Sequence, residues 1–345
     1  TAEFFCGNMT VEMDNTDKLK VLYEDALKMG MTFEMPDVNR GGYRFEPVTD
    51  KVIRYGLGAI KGTGQQAIEA IIAAREGNGA GPDAHVKGPF KSLFDFCTRV
   101  DRSKLNKRTL EALIKAGGFD SIHLDRASLV ASIDTAFEYS SAQLANANQG
   151  GLFDMMGADA QGSSAQEPPL ADTLPWGIKT RLTQEKLAVG FYISGHLFDE
   201  VEQEVRNFIR TPLSELGDSR EPQLLAGIVS DLRVINGQRG RVAIFKLDDK
   251  SEAIEAVANE DLLNANKDLL KDDELIIVQG KVQPDRFSGG LRLTVASVWD
   301  LASARCRFGK YLRVSVNGSV PTRSRFRPLT LMSPVSVPAG TVVAV

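Results

Sequence analysis

Cysteine is scarce in this chain. Cys6, Cys97 and Cys306 are the only three among 345 residues, and their wide spacing makes neither a disulfide framework nor a zinc site. Histidine is equally thin: His85, His123 and His196 each stand alone, and His196, in Ile193-Ser194-Gly195-His196-Leu197, is expected to cap or pack near a helix end. No Cys/His pairing, Gly-x-Ser-x-Gly elbow or His-Glu-x-x-His pattern occurs, so no catalytic residue and no metal ligand is assigned. Asp248-Asp249 has the look of a metal pair, but its place at a strand end favours a turn. No apolar run approaches the ~18 residues of a membrane helix, and no secretory signal opens the chain. These absences together predict a cytoplasmic protein without a membrane partner. Thr1 leads directly into dense sequence, from which a piece of something longer is expected.

What is present is ordinary globular composition, 43% hydrophobic and 25% charged, in a length that predicts two or three domains. The net charge of −4 is segregated along the chain. Residues 1–50 carry −5, residues 51–126 carry +5, residues 127–210 carry −6 and residues 211–300 carry −5, while residues 301–345 hold seven basic groups and no acidic one. The one basic globular stretch contains four glycines in nine residues, in Tyr55-Gly56-Leu57-Gly58-Ala59-Ile60-Lys61-Gly62-Thr63-Gly64. They open a helix whose Ile68, Ile71 and Ile72 recur at helical spacing. Ile60–Gly64 fits the hairpin of a helix-hairpin-helix element. Gly62 and Gly64 lack Cβ and would let backbone N–H groups approach a phosphate, with Lys61 and Thr63 completing the candidate site. The third glycine falls one residue late for a dinucleotide fold, and no Gly-Lys-Ser/Thr triplet marks a P-loop. The competing reading is a tight turn between packed helices that holds no ligand.

Before the hairpin, an apolar stripe of Leu19, Leu22, Ala26 and Met29 behind Asn15 predicts a helix, and Tyr43–Phe45 and Val52–Tyr55 read as short strands. After it, Phe90–Val100 and Lys107–Ala116 read as helices, the second stopped by Gly117-Gly118. Residues 143–176 change to an Ala/Gly/Ser/Gln/Pro-rich linker composition. Within it, Gln149-Gly150-Gly151-Leu152-Phe153-Asp154-Met155-Met156, with a Leu, a Phe and two Met, looks like a docking peptide, unless these side chains fold back on a neighbouring helix. From residue 222 the period becomes that of strands: Leu224–Ile235, Arg241–Leu247, Ala253–Val257, then a helix at Asp261–Lys271, then Glu274–Val282 and Leu291–Trp299. Five strands with a helix between the third and fourth predict an OB-fold β-barrel, and the chain is expected to be α+β and multidomain, mostly helical before that barrel. Arg233, Arg239, Arg241, Lys246, Arg286 and Arg292, with Phe245 and Phe287, supply the cations and rings that single-strand binding uses.

Three stretches carry a resemblance: the glycine hairpin, Lys104–Asp120 with its Ile114-Lys115-Ala116-Gly117-Gly118-Phe119-Asp120 ending, and Gly190-Phe191-Tyr192-Ile193-Ser194-Gly195-His196. Over roughly residues 2–320 the chain resembles the family C replicative DNA polymerases, the alpha subunits of bacterial DNA polymerase III. Met35-Pro36-Asp37-Val38-Asn39 is similar to a segment of that family's fingers domain. The resemblance implies residues 1–50 as the end of the fingers, 51–125 as a helix-hairpin-helix DNA-binding region, 126–210 as a helical region whose 143–176 linker binds the clamp, 211–305 as the OB domain and 306–345 as a basic tail. It implies DNA synthesis by the whole subunit with Mg²⁺ held by palm aspartates upstream, leaving this part inactive alone and without a cofactor. It implies duplex and single-stranded DNA as partners, a sliding clamp (the beta subunit) at Gln149, Leu152 and Phe153, and other holoenzyme subunits. Two departures stand out: Thr63 occupies a position that is often apolar, and similarity is lost after about Pro321. The alternatives are a non-catalytic DNA-binding module of a repair protein and the error-prone paralogue within the same family.

Overall fold

The computed structural model describes residues 1–154, 166–219, 221–237, 240–285 and 289–309, side chains at 147–154 and 237 excepted. The chain divides into two compact units, Thr1–His196 and Leu197–Val345. Among the described residues no helix is long and apolar enough to cross a membrane.

The first unit is helical around a small sheet. Helices α1 (Ala2–Val11) and α2 (Thr16–Lys28) precede strands β1 (Thr32–Glu34), β2 (Glu46–Thr49) and β3 (Val52–Arg54), with β3 central, parallel to β1 and antiparallel to β2. A 3₁₀ turn at Leu57–Ala59 leads to α3 (Gln65–Arg75), and α4 (Leu93–Arg99), α5 (Lys107–Lys115), α6 (Arg126–Ala131), α7 (Ile133–Asp154) and α8 (Ile178–Val189) follow. Side-chain oxygens of Asn15, Ser92, Asn106 and Asp125 cap α2, α4, α5 and α6, taking up amides that a helix start leaves without partners. Edge-to-face Phe90, Phe96 and Phe119 stack through the core, with ring centroids 4.8 and 4.9 Å apart. Tyr43–Phe45 is not a strand. Gly58 packs so tightly on the Tyr43 ring that a Cβ there would lie 2.4 Å from Cε2, and pairing begins only at Glu46.

The 143–176 stretch departs from its linker composition at both ends. Helix α7 continues through Asp154, and residues 166–176, outside helix and strand, are tied to the helical unit. Ala171 N–H donates to Ser132 Oγ at 2.8 Å, and Ser92 Oγ donates to Glu167 Oε1 at 2.8 Å. Pro168, Pro169 and Pro175 restrict this strap to extended backbone, so its ordering costs little entropy.

The second unit is a closed barrel with a short helical approach, α9 (Glu202–Val205) between 3₁₀ turns at Leu197–Glu200 and Leu213–Glu215. The strands are β4 (Gln223–Gly237), β5 (Gly240–Asp248), β6 (Ala253–Ala258), β7 (Leu275–Pro284) and β8 (Leu291–Trp299), with α10 (Glu260–Ala265) between β6 and β7 and α11 (Leu301–Phe308) after β8. Their order round the barrel is β4-β5-β6-β8-β7, closed by β7 on β4, and only β6–β8 is parallel. This is the OB topology, and the α+β reading holds. Alternation along β5 sends Ala243, Phe245 and Leu247 inward, while Arg241 and Lys246 are exposed. The β7–β8 register shifts at Gln279/Gly280, where a Cβ on Gly280 would meet Thr294 O at 2.3 Å.

Candidate nucleic-acid interface

The hairpin is built from two unlike glycines. Gly62 holds φ +83°, a left-handed conformation that disfavours other residues, while Gly64 is extended and starts α3. A Cβ placed on either would meet nothing within 4 Å, so both face open space. Thr63 between them is buried, and its Oγ1 lies 2.8 Å from Leu57 O and 2.6 Å from Ile60 O. The hydroxyl closes the turn from inside, which gives Thr63 a buried role at a position expected to be apolar.

Two neighbours fix the hairpin from below. Lys61 N–H donates to Ala188 O at the end of α8 at 2.7 Å, and Thr109 Oγ1 of α5 donates to Gly62 O at 3.1 Å. Gly190, which ends α8 with φ +110°, lets the Lys61 side chain and Thr16 close over it. Helix α8 is in turn held by a buried ion network. Arg126 pairs with Glu185 at 3.1 Å and Asp120 at 2.6 Å, and Glu185 Oε1 accepts the N–H groups of Ile193 and Ser194. Burial alone would push the Arg126 guanidinium down, but Asp120 and Glu185 hold it above its ordinary value.

With its frame fixed, the turn offers donors upward. Among the described residues, no protein acceptor takes the N–H of Gly62, Gly64, Gln65 or Gln66, and α3 has no side-chain cap. Lys61 is exposed and forms no ion pair there. Unclaimed amides at a helix start are the kind of donors that suit an anion.

The barrel face differs from its sequence reading. Phe245 is 1% exposed and belongs to the barrel core, so it presents no ring to a base. Arg241 binds Glu260 at 2.9 Å and Asn264 at 3.2 Å, and the Glu260 carboxyl is held below its ordinary value by Arg241. Lys246 pairs with Asp231 at 2.9 Å, and Arg292 pairs with Glu255 and with Asp285, the latter at 3.5 Å. Arg233 is exposed and makes no ion pair among the described residues. Arg239, Arg286 and Phe287 lie outside the described residues. Gln149, Leu152 and Phe153 fall on the helical backbone of α7, with their side chains likewise outside.

Asp248-Asp249 forms a turn. Buried Asp249 accepts from Arg206 at 2.6 Å, Leu213 N–H at 2.9 Å and Ser251 Oγ at 2.5 Å, and Asp248 accepts Lys250 N–H. Burial pushes the Asp249 carboxyl up, but these donors prevail and hold it below its ordinary value. The cysteines are free, and burial pushes the thiols of Cys6 and Cys97 up to about 11 and about 12. Sequence reasoning missed the Arg126–Glu185 pair, whose partners stand 59 residues apart with no local signal joining them.

A family model described as a helix-hairpin-helix motif matches residues 30–129, and one described as an OB-fold nucleic acid binding domain matches residues 224–301. The chain is 42% identical over 318 residues to the DNA polymerase III subunit alpha of Neisseria meningitidis serogroup B strain MC58, covering 91% of this chain and 26% of that one. It is 38% identical over 318 residues to the Vibrio cholerae subunit and 36% identical over 319 residues to the Escherichia coli K12 subunit, each covering 91% of this chain and 27% of the relative. The chain thus spans about a quarter of the length of these curated relatives.

Proposed function

From a chain that belongs to the DNA polymerase III alpha-subunit family over the quarter of that subunit it spans, we propose a DNA-handling portion of a replicative polymerase. The hairpin at Ile60–Gly64 binds the backbone of duplex DNA without regard to sequence. The observation that carries this reading is the set of N–H groups at Gly62, Gly64, Gln65 and Gln66 that no acceptor among the described residues claims, with Lys61, which forms no ion pair among them, in the same turn. Nucleotidyl transfer belongs to parts of the subunit outside this chain. The barrel contacts single-stranded DNA through Arg233 and the cations of its loops, and Gln149, Leu152 and Phe153 dock on a sliding clamp.

Duplex affinity of the full 345-residue chain across a salt series tests the hairpin. Lys61→Ala should lower the salt slope by about 1, because one phosphate contact disappears. Gly64→Val should fold normally, since its backbone is extended and its surroundings are open, yet block the approach of a phosphate. Parental binding by folded Gly64→Val overturns the reading. For the clamp, a peptide of residues 145–158 and its Leu152→Ala/Phe153→Ala variant are titrated calorimetrically against the cognate clamp. Equal heats would remove that assignment.

A further inference from the structure

Immediately before α5, the segment 101–108 carries Arg102, Lys104, Lys107 and Arg108 against a single acid, Asp101. The segment is fastened beside the glycine turn at two points. Thr109 Oγ1 donates to Gly62 O, and Lys104 Nζ lies 3.5 Å from Oε1 of Gln66 in the first turn of α3. Asn106 Oδ1 accepts Thr109 N–H at 2.8 Å and fixes where α5 begins. Asp101 is turned onto its own loop, accepting Ser103 N–H at 2.8 Å, and hydrogen bonds from Ser103 hold its carboxyl below its ordinary value.

The four cations are not equivalent. The Arg102 guanidinium lies over the Phe137 ring, 3.6 Å from its centroid. Lys107 reaches both carboxylate oxygens of Asp134, at 2.8 and 2.7 Å. Among the described residues, Lys104 donates one long hydrogen bond to an amide oxygen and lies within electrostatic reach of Asp101, and Arg108 has no hydrogen bond or ion pair. Both are exposed. Lys104 and Arg108 are thus exposed cations without an ion pair to any described residue, on a segment bonded to the hairpin through Lys104 and the adjoining Thr109.

We propose that Lys104 and Arg108 extend the hairpin into a composite surface that holds adjacent phosphates of a nucleic-acid duplex, with Lys107 and Arg102 outside it. The proposal rests on the duplex-binding reading of the hairpin and adds residues that the glycine motif does not contain. A phosphate contact made by a cation appears as counterion release, so each of these two side chains should register separately in the salt dependence.

The test measures affinity of the full chain for a mixed-sequence duplex oligonucleotide across a salt series, with folding of every variant checked by circular dichroism. Lys104→Ala and Arg108→Ala should each lower the slope by about 1, and the double variant by about 2. Lys107→Ala should leave the slope at its parental value, whereas Asp134→Asn, which releases Lys107, should raise it. A Lys104→Ala/Arg108→Ala variant with the parental slope, alongside loss of binding in Gly64→Val, would overturn the composite surface and leave the hairpin reading standing. Parental affinity in folded Gly64→Val would remove the hairpin reading and the composite surface together. A loss in Lys107→Ala equal to that in Arg108→Ala would also defeat the proposal, because commitment to Asp134 would then decide nothing.

Discussion

The hairpin and the barrel both carry basic residues, but they treat them oppositely. At the glycine turn, the Lys61 ammonium and several backbone N–H groups have no partner among the described residues, while acids and acceptors of the region are used beneath them. On the barrel, Arg241, Lys246 and Arg292 are each engaged by a carboxylate, and the aromatic ring expected on the surface is inside. Positive charge in a sequence is therefore a poor guide to an anion site. The useful quantity is charge that has no internal partner, together with a frame rigid enough to keep it so.

That contrast breaks most readily at the frame. Glu185→Ala would leave buried Arg126 with Asp120 as its remaining carboxylate, beside Lys115 O, and a broken buried pair costs about 3–5 kcal/mol. Urea denaturation should report a loss of that order in the helical unit, and a stability equal to the parent's would show that the network does not support the hairpin.

Next comes Asp249, which plays the framing role in the barrel unit. Asp249→Ala leaves Leu213 N–H without its acceptor and Arg206 with only a long contact to Thr211 O, and should cost about 1–3 kcal/mol. Because its folded carboxyl sits below the ordinary value, the stabilisation is present above the unfolded value of ~4 and is lost as pH falls through the folded one. An acid titration followed by circular dichroism should show the parent losing this increment while the Asp249→Ala variant, already without it, changes less.

Within the hairpin, Gly62→Val and Gly64→Val separate strain from access. The first forces a β-branched residue to positive φ and should destabilise the fold by about 1–2 kcal/mol as well as weaken binding. The second should weaken binding alone. Equal melting temperatures for the two variants would contradict the assigned backbone.

The smallest effect is expected where the barrel's carboxylates are neutralised. Glu255→Gln, Glu260→Gln and Asp231→Asn each remove one carboxylate partner of an exposed cation, although Arg292 keeps Asp285 and Arg241 keeps Asn264. Combined, they should raise single-strand affinity a few-fold at low salt. Unaltered affinity would mean that the barrel cations are not aimed at a ligand even when free.

How much of this was legible beforehand follows from the range of each interaction. The five strands and their helix could be read because strand periodicity is local, and so could the glycine turn. The same alternation also held the correction for Phe245, since it shares a phase with Ala243 and Leu247, but its ring was read for its chemistry and not for its position. The helix, at Glu260–Ala265, is shorter than the Asp261–Lys271 reading because Asn266 ends it. Tyr43–Phe45 misled by composition, and only the distant Gly58 explains its shape. The pairings of Arg126, Arg241 and Lys246, which decide which cations are free, join segments that sequence spacing does not connect.

The bond from Lys61 N–H to Ala188 O has a consequence in time as well as in space. The turn and its floor are separated by more than a hundred residues, so the hairpin's seat is a contact of high sequence separation. A nascent chain presents the glycines early, but α8 is synthesised only much later, and the ion network beneath it closes later still. At translation rates of about 5–20 residues per second, the turn waits several seconds before its frame exists. The frame of the proposed anion site is thus complete only with the end of the helical unit, and a nascent chain stopped short of Gly190 would carry the motif without that frame.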